Sequence, residues 1–317
     1  MNDSLLQFLF RRALSSVGVV FGVATLVFVT VRAVPGDPVE SILGEQALDV
    51  DKAGLRECLR LDEPLWRQYL LFLRDLVDGT LGRFCDDPSR TVRAEIVWNL
   101  WPTIELALWS LLLAVLIAVP LGVVAALRHR TWVDVVALLV AMLGVSIPNF
   151  WLGPMLLILF SITITALPAP GAGALGFSAL VLPVLTLSTA LAAKLARMTR
   201  ASMLDVLGQP YIQAARARGL RERVVVFRHA LRNALTPVLS VLGLQLGALL
   251  GGAIIVEKVF ARPGLGTLLL SAIEMRNFAL VQGCVIVIAA FYVLANLLTD
   301  IAYGVADPRL RQSGGDP

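Results

Sequence analysis

An all-α integral membrane protein is the fold class that three features of this sequence predict. The 317 residues are 57% hydrophobic and only 16% charged, whereas a soluble domain carries about a quarter charged residues. Apolar runs of 18 or more residues recur, and each is long enough to cross a bilayer. The basic residues cluster in one loop between two such runs. We therefore expect six transmembrane helices, with a small extracytoplasmic helical subdomain after the first.

The first predicted transmembrane segment covers residues 14–31 and follows the basic pair Arg11 and Arg12. Its apolar run is longer than that of a signal peptide, and no small-residue cleavage site follows it. We interpret residues 1–32 as an uncleaved transmembrane anchor. The preceding arginines place the N-terminus in the cytoplasm.

Residues 33–97 are predicted to form the extracytoplasmic subdomain, because they contain thirteen acidic and eight basic residues and no run long enough to span. Two short helices are expected there, at 50–61 and 64–76. Cys58 and Cys85 both fall in this segment, where a disulfide would persist. From the sequence alone, two free thiols are the favoured interpretation, and Cys284 is assigned to packing within a span.

Residues 98–306 are predicted to form the transmembrane core, and residues 307–317 a cytoplasmic tail. The apolar stretch 134–166 is too long for one straight crossing, and Pro148 and Pro154 interrupt it. We interpret it as one kinked span with a re-entrant continuation, because two spans would place the basic loop outside. The five core spans are 102–127, the kinked segment, 178–197, 235–256 and 280–304. Both termini then lie in the cytoplasm of a bacterial inner-membrane protein.

The basic loop, within residues 198–234, is the candidate docking segment. Residues 194–232 hold nine of the 27 basic residues but only Asp205 and Glu222 as acids. Pro210 is suited to starting a short helix, 211–218, and Gly219 to ending it. Ala214 and Ala215 are expected to leave one side smooth for a partner protein. Arg216 and Arg218, with Arg221 and Arg223, are expected to contact acidic partner groups or anionic lipid; an ordinary positive-inside loop is the alternative.

Catalysis and metal binding find no support in the sequence. No G-x-x-x-x-G-K-[ST] phosphate loop, Ser/His/Asp set or H-E-x-x-H motif is present. The two histidines and three cysteines form no metal-ligand cluster, and the net charge of +4 reflects cytoplasmic loops rather than nucleic-acid binding. Ionisable residues in the spans (Glu105, Asp134, Lys194 and Asp300) fall near their ends, which argues against a proton relay. A secondary carrier driven by an ion gradient stays open as an alternative.

Three neutral polar residues fall deep in predicted spans: Asn149, Gln245 and Asn296. They are candidates for lining a path for a polar solute. Hydrogen bonding between helices is the favoured alternative, because such bonds are common in helix bundles.

The order of residues in the basic loop resembles the coupling motif of membrane subunits of ATP-binding-cassette importers, E-A-A-x-x-x-G. The segment from Gln213 to Gly219, QAARARG, matches all but the first position, where glutamine removes the charge. The continuation RHALRNALTP, from Arg228 to Pro237, is similar to the dipeptide/oligopeptide/nickel permease branch of that family. Further similarities in order along the chain include PGDP after the first span and PGLG after the fifth.

The resemblance implies a permease that forms half of a pathway for di- or oligopeptides, with a nickel or metallophore permease as the alternative. It implies a second homologous permease, two cytoplasmic ATPases that hold ATP and magnesium, and an extracytoplasmic solute-binding protein. This chain itself is expected to bind no cofactor. The ATPase-coupling residues implied are Tyr211, Gln213, Ala214, Ala215, Arg216, Arg218, Gly219 and Leu220.

The stretch rich in glycine and proline after the fifth span is the candidate outer gate. Alternating access requires a closable outer end, and this segment follows the span that begins just after the basic loop. The gate residues proposed from the sequence are Glu257, Phe260, Pro263, Gly264 and Gly266.

Overall fold

A computed structural model describes residues 3–44, 46–85, 87, 89–168 and 176–306. Regular structure in these ranges is helical, apart from an isolated bridge between Arg83 and Thr91. The all-α prediction is confirmed. The predicted tail, 307–317, lies outside the described residues.

The helices follow one another in an order close to the predicted one. In chain order they are α1 Asp3–Ala33, α2 Pro38–Leu43, α3 Asp49–Cys58, α4 Leu65–Val77, α5 Val92–Leu127, α6 Trp132–Ser146, α7 Asn149–Leu157, the π-helix π1 Ile158–Thr163, α8 Phe177–Leu207, α9 Pro210–Ala217, α10 Glu222–Val224, the π-helix π2 Val225–Ala230, α11 Leu231–Val259, α12 Leu265–Glu274 and α13 Phe278–Ala306.

Within the part of the chain that the structure describes, five helices are long and apolar enough to cross a membrane: Leu14–Ala33 in α1, the whole of α5 and α8, Val241–Val259 in α11 and Phe278–Thr299 in α13. A sixth candidate is the pair Trp132–Ser146 and Asn149–Thr163, which bends by 99° at its break. Pro148 causes the break, because proline has no amide hydrogen and forces the residue before it into an extended conformation. Ile147 has that conformation, with φ −83° and ψ 116°. The break predicted at Pro148 is therefore present, and the crossing of the membrane by this pair as one span stays a prediction.

The chain divides into two compact units. Unit 1 comprises Ile104–Arg262 with both chain ends, and unit 2 comprises Arg11–Thr103 and Pro263–Val293. This grouping reflects contacts and does not test which segments lie outside the membrane. The domain boundaries proposed from the sequence therefore stay predictions.

Unit 1 has its core where α5, α8 and α11 pack together. Apolar side chains from the three helices form one cluster, which includes Leu106, Leu187, Leu195 and Val256. Close helix contact depends on small residues: a β-carbon on Gly122 of α5 would lie 2.6 Å from Cβ of Thr199 in α8. The same reason applies to Gly243 of α11, where a β-carbon would overlap the side chain of Thr299 in α13.

Unit 2 joins α1 to the short helix α4 through aromatic rings. Phe28 contacts Tyr69 edge-on, with ring centroids 5.0 Å apart, and also contacts Phe72 at 5.4 Å. The Tyr69 hydroxyl lies 2.7 Å from Oγ1 of Thr25. Because edge-on and tilted ring pairs add to the energy of burial, this cluster fixes α4 against α1.

The two cysteines of unit 2 form a disulfide between Cys58 and Cys85, with their Cα atoms 5.9 Å apart. The sequence interpretation that favoured two free thiols is wrong. The sequence separation of 27 residues gives no sign of the contact, since the fold of unit 2 brings the end of α3 against the segment before α5. Cys284 is free and buried, as expected for packing.

Removing the disulfide should destabilise unit 2. For a 27-residue separation, the chain-entropy estimate is roughly 3.5 kcal/mol. We expect the Cys58→Ser/Cys85→Ser double variant to unfold at a lower temperature. In the unaltered protein, a maleimide should label Cys58 and Cys85 only after reduction, and Cys284 only after denaturation. Labelling of Cys58 without reductant would contradict the assignment.

Glycine packing in α11 gives a second prediction with an internal control. Gly243→Ala should lower the melting temperature, because overpacking of a tight contact costs about 1–3 kcal/mol. Gly251 lies on the same helix and is exposed, and a β-carbon added to it would meet no atom within 4 Å. Gly251→Ala should therefore leave the melting temperature unchanged or raise it. Equal effects of the two substitutions would show that the contact with Thr299 is unimportant.

Candidate functional site

The predicted docking helix is present as α9, and its ends are set by the residues that the sequence suggested. Pro210 occupies the first helical position, where its missing amide hydrogen costs nothing. Gly219 has φ +76°, a left-handed conformation that favours glycine. Its amide donates to the Arg216 carbonyl at 2.9 Å, and the Leu220 amide donates to that of Ala215 at 3.4 Å. These two bonds form a Schellman motif, and the predicted helix stop at Gly219 is confirmed.

Two side chains anchor α9 to the ends of three spanning helices. Ile212 and Ala215 are 0% and 9% exposed, and they belong to a single apolar cluster. Its other buried members are Val123 and Ala126 of α5, Met203 of α8, Val225, Val226 and Ala230 of π2, and Ala234 of α11. The helix is therefore part of the core of unit 1 on one side and exposed on the other.

The burial of Ala215 corrects one expectation. The sequence analysis placed Ala214 and Ala215 together on a smooth surface for a partner. Successive residues of a helix are about 100° apart, so the two methyl groups point in different directions. Ala215 packs against its own chain, whereas Ala214 and Gln213 are exposed. Of these two alanines, Ala214 is the one available as a small contact residue.

Arg216 is paired within the loop, a contact that the sequence analysis did not predict. Its Nη2 donates to Oε1 of Glu222 at 2.7 Å, and its Nε donates to Oε2 at 3.2 Å. This bidentate bond lowers the pKa of Glu222 and raises that of Arg216. The Arg218 side chain is exposed and makes no hydrogen bond or ion pair among the residues that the structure describes. The sequence analysis did not identify Glu222 as the partner of Arg216. An acidic residue in so basic a loop could have suggested this ion pair.

Tyr211 links the docking helix to the start of α11. The Nδ2 atom of Asn233 donates to the Tyr211 hydroxyl at 2.7 Å, and the Tyr211 ring is partly exposed. Asn233 belongs to the RHALRN segment on which the resemblance partly rested, but no role was predicted for it. The bond gives α9 a polar attachment to α11 beside its apolar one.

A buried ion pair joins α6 to α8. Arg200 donates to both carboxylate oxygens of Asp134, from Nε at 2.5 Å and from Nη2 at 2.8 Å. The Arg130 amide and Nδ1 of His129 each lie 3.1 Å from the same carboxylate. Asp134 is only 3% exposed, so these bonds compensate for the loss of water. The sequence analysis recognised Asp134 as ionisable but not its partner.

The three candidate pathway residues are all partly exposed. Gln245 accepts a hydrogen bond from Nζ of Lys194 at 3.2 Å, which joins α11 to α8. The Nδ2 atom of Asn149 approaches Gly252 of α11, 3.6 Å from where a β-carbon would stand. Gln245 and Gly252 are seven residues apart, so they lie on one face of α11. The bond of Gln245 has the interhelical form favoured from the sequence, and the pathway role of the three residues stays a prediction.

The candidate outer gate surrounds the end of α11 and the start of α12. In unit 1, Glu257 is fully buried and Phe260 nearly so, and Nη2 of Arg262 donates to Oε2 of Glu105 at 2.6 Å. This pair was not predicted.

On the unit 2 side, the candidate gate begins with Pro263, followed by Gly264 at the N-terminal boundary of α12. Gly266 is buried in the first turn of that helix. The amide of Leu265 donates to Oγ1 of Thr103 at 2.8 Å. Thr103 thereby satisfies one of the free amide groups at the start of α12, and a gating role for this segment stays a prediction.

These features define a multi-pass membrane protein with an anchored helix on an otherwise exposed basic loop. Residues 118–312 match the family model described as binding-protein-dependent transport system inner membrane component. Residues 5–100 match the model for the N-terminal part of the same membrane components. The chain belongs to this family of inner-membrane transport components, and its resemblance to ATP-binding-cassette importer permeases is confirmed.

Similar proteins extend along almost the whole chain. The dipeptide transport system permease protein DppB of Alkalihalophilus pseudofirmus is 37% identical, over 97% of this chain and 100% of its own length. The glutathione transport system permease protein GsiC of Escherichia coli strain K12 is 38% identical, over 97% of this chain and 99% of its own. A solved structure of the MetNI methionine ABC transporter has a TM-score of 0.55 at 19% identity, over 67% of this chain and 96% of that chain. That likeness shows a shared fold.

The pairing of Arg216 with Glu222 predicts a dependence on pH. Because the pKa of Glu222 lies below its ordinary value of 4.5, its bond stabilises the loop above pH 4.5 and is lost as the pH falls below that value. We expect Arg216→Gln to speed amide hydrogen exchange after α9 by up to about fivefold at neutral pH. Arg218→Gln is the matched control, since Arg218 lacks a partner in the described structure. Identical exchange in both variants would contradict a stabilising role.

Proposed function

We propose that this chain forms half of the translocation pathway of an ATP-driven importer for di- or oligopeptides, glutathione included. Two relatives named for dipeptide and glutathione transport support this substrate class, because each aligns over nearly its full length. In the proposal, α9 receives movement from a cytoplasmic ATPase and passes it to the spanning helices.

The observation that carries the proposal is the position of α9: it packs against π2 and shares one apolar cluster with the ends of three spanning helices. Ile212 and Ala215 belong to one cluster with residues of α5, α8 and α11. Close-packed interiors transmit displacement, because they have little free volume to absorb it. A push on the exposed side of α9 therefore shifts the ends of those helices together.

The proposed assembly contains further chains. A second, homologous permease completes the pathway, and two cytoplasmic ATPases carry ATP and magnesium, so that this chain is not catalytic and holds no cofactor. The family description supports a solute-binding protein, since it names a binding-protein-dependent system. The positive-inside rule places both termini and the docking loop in the cytoplasm, where the exposed arginines also meet anionic lipid headgroups.

Alternating access requires a closable outer end, and the proposed gate is the connection from α11 to α12. The ion pair between Arg262 and Glu105 supports this choice, since it fastens the end of α11 to α5. Its release would free the connection to move. Asn149, Gln245 and Asn296 are the polar residues proposed to face the solute.

The proposal predicts that the exposed side of α9 tolerates no bulk. In the reconstituted transporter, Ala214→Leu should reduce ATP-driven dipeptide uptake about tenfold, equivalent to about 1.4 kcal/mol, because the added side chain keeps the ATPase from docking closely. Ala53→Leu is the control. Ala53, like Ala214, is an exposed helical alanine, but it belongs to α3 of unit 2 and not to the docking helix. It should transport normally, and the melting temperatures of both variants should match that of the parent.

Normal uptake and coupled hydrolysis by Ala214→Leu would remove the docking proposal. Uptake by the isolated chain in liposomes, driven by an ion gradient, would establish the secondary carrier instead. Assays with labelled dipeptide and with nickel in parallel separate the peptide importer from the nickel alternative.

A further inference from the structure

Unit 2 contains a cavity of about 390 Å³, a volume in the range of small-molecule sites. Its wall combines apolar side chains with four arginines. The apolar members include Val31, Phe72 and Phe278, and the arginines are Arg32, Arg60, Arg83 and Arg276. Neither α9 nor the candidate gate contributes to it.

Two polar side chains of this wall have unmet hydrogen-bonding capacity. Nη1 of Arg32 and Nε2 of Gln282 are buried without a partner. The remainder of Arg32 is well held, since its Nε donates to Oε1 of Gln68 at 2.8 Å and its guanidinium lies 3.7 Å over the Phe28 ring. Gln282 is 6% exposed, and its amide makes no hydrogen bond among the described residues. Buried donors left unpaired cost about 1–3 kcal/mol each, so an acceptor bound in the cavity would be stabilised by both.

The charge of the wall specifies what kind of acceptor fits. Among the described residues that line the cavity, the acidic side chain is Asp75, and it pairs with Arg60 at 3.5 Å. Arg276 has a partner of its own, so among the described residues Arg32 and Arg83 supply the positive charge that favours an anion. A neutral acceptor would leave that positive charge uncompensated. An anion both accepts the hydrogen bonds of the buried donors and balances the charge of the arginines.

The wall is also built as a fixed structure. The disulfide of Cys58 and Cys85 contributes to it, and the Phe28 and Phe72 rings hold α4 against α1 beside it. A preformed site loses less entropy on binding than one that must be assembled.

We propose that this cavity binds the carboxylate of a peptide-sized solute. The carboxylate oxygens accept hydrogen bonds from Nη1 of Arg32 and from Nε2 of Gln282. Phe72 and Phe278 contact the apolar part of the solute. The choice of a peptide as the carrier of the carboxylate rests on the proposed function. The site would hold solute before it enters the pathway.

The test is equilibrium binding to the full-length chain in nanodiscs, together with any subunits that copurify, without solute-binding protein or ATP. The probes are the labelled dipeptide Ala-Phe, its C-terminal amide and acetate. We expect the amide to bind at least tenfold more weakly than the acid, because it lacks the anion. Acetate should also bind at least tenfold more weakly, because it has no side chain for the aromatic wall. Equal affinity of acid and amide, or of acetate and dipeptide, would overturn the proposal.

Gln282→Glu provides the decisive variant, since it places a competing carboxylate beside Arg32 with almost no change in volume. Affinity for the dipeptide should fall at least tenfold while the melting temperature is retained. Arg67→Gln is the matched control: Arg67 belongs to the same unit, pairs with Glu63 at 2.9 Å and does not line the cavity. It should bind normally. If Gln282→Glu does not fold, Gln282→Met removes the donor instead, and unchanged affinity in the folded variant would refute the site.

Failure of this proposal is distinguishable from failure of the proposed function. Binding is measured without ATP, whereas the importer requires ATP-driven uptake. Uptake without carboxylate-dependent binding in the cavity removes the site and keeps the importer. Binding without ATP-driven uptake removes the importer and keeps the site.

Discussion

The structure depends on one constraint: inside hydrocarbon, no water is available to satisfy the backbone. The spanning segments meet it as helices, and the break in the kinked span shows how an exception is made. Pro148 has no amide hydrogen to leave unpaired, and the Ile147 amide still bonds to the Leu143 carbonyl at 3.0 Å. On the other side of the break, the amides of Trp151 and Leu152 both bond to the Pro148 carbonyl. The chain turns through 99° there, and these bonds satisfy the amides of Ile147, Trp151 and Leu152 on the two sides of the turn.

The same constraint organises the charged side chains of unit 1. Asp134 is bonded to Arg200 of α8, and Glu105 is bonded to Arg262 in the connection that follows α11. Such pairs fix the register and orientation of the segments that they connect, because separating the two partners would leave a buried charge uncompensated. Buried polar atoms without a partner are not confined to unit 2, since Oγ of Ser110 in unit 1 is another. Arg32 and Gln282 differ from it in that both line one cavity, and this shared position carries the inference.

Much of the fold was predictable from the sequence, because the thickness of the bilayer sets the length of each span and the positive-inside rule sets the distribution of arginine. Pro148 and Gly219 were also predictable, since the backbone conformations they favour are local. The partners of Arg216 and Asp134 were not, because pairing depends on which helix faces lie together. The disulfide was missed for the same reason. Ala215 was misassigned because a motif gives the identity of a residue but not the direction of its side chain.

The motif that suggested coupling acquires a different physical meaning from the structure. Ala215 is small because its own chain packs against it, and Gly219 is required by its backbone conformation. Both residues therefore hold α9 in place, and neither needs to touch another protein. Ala214 and Gln213 are exposed, so in the proposed assembly they and Arg218 are the residues expected to contact a partner. A helix that must transmit force needs both properties: a rigid attachment to the spans on one side and an accessible surface on the other. The order of residues in the loop provides the two together.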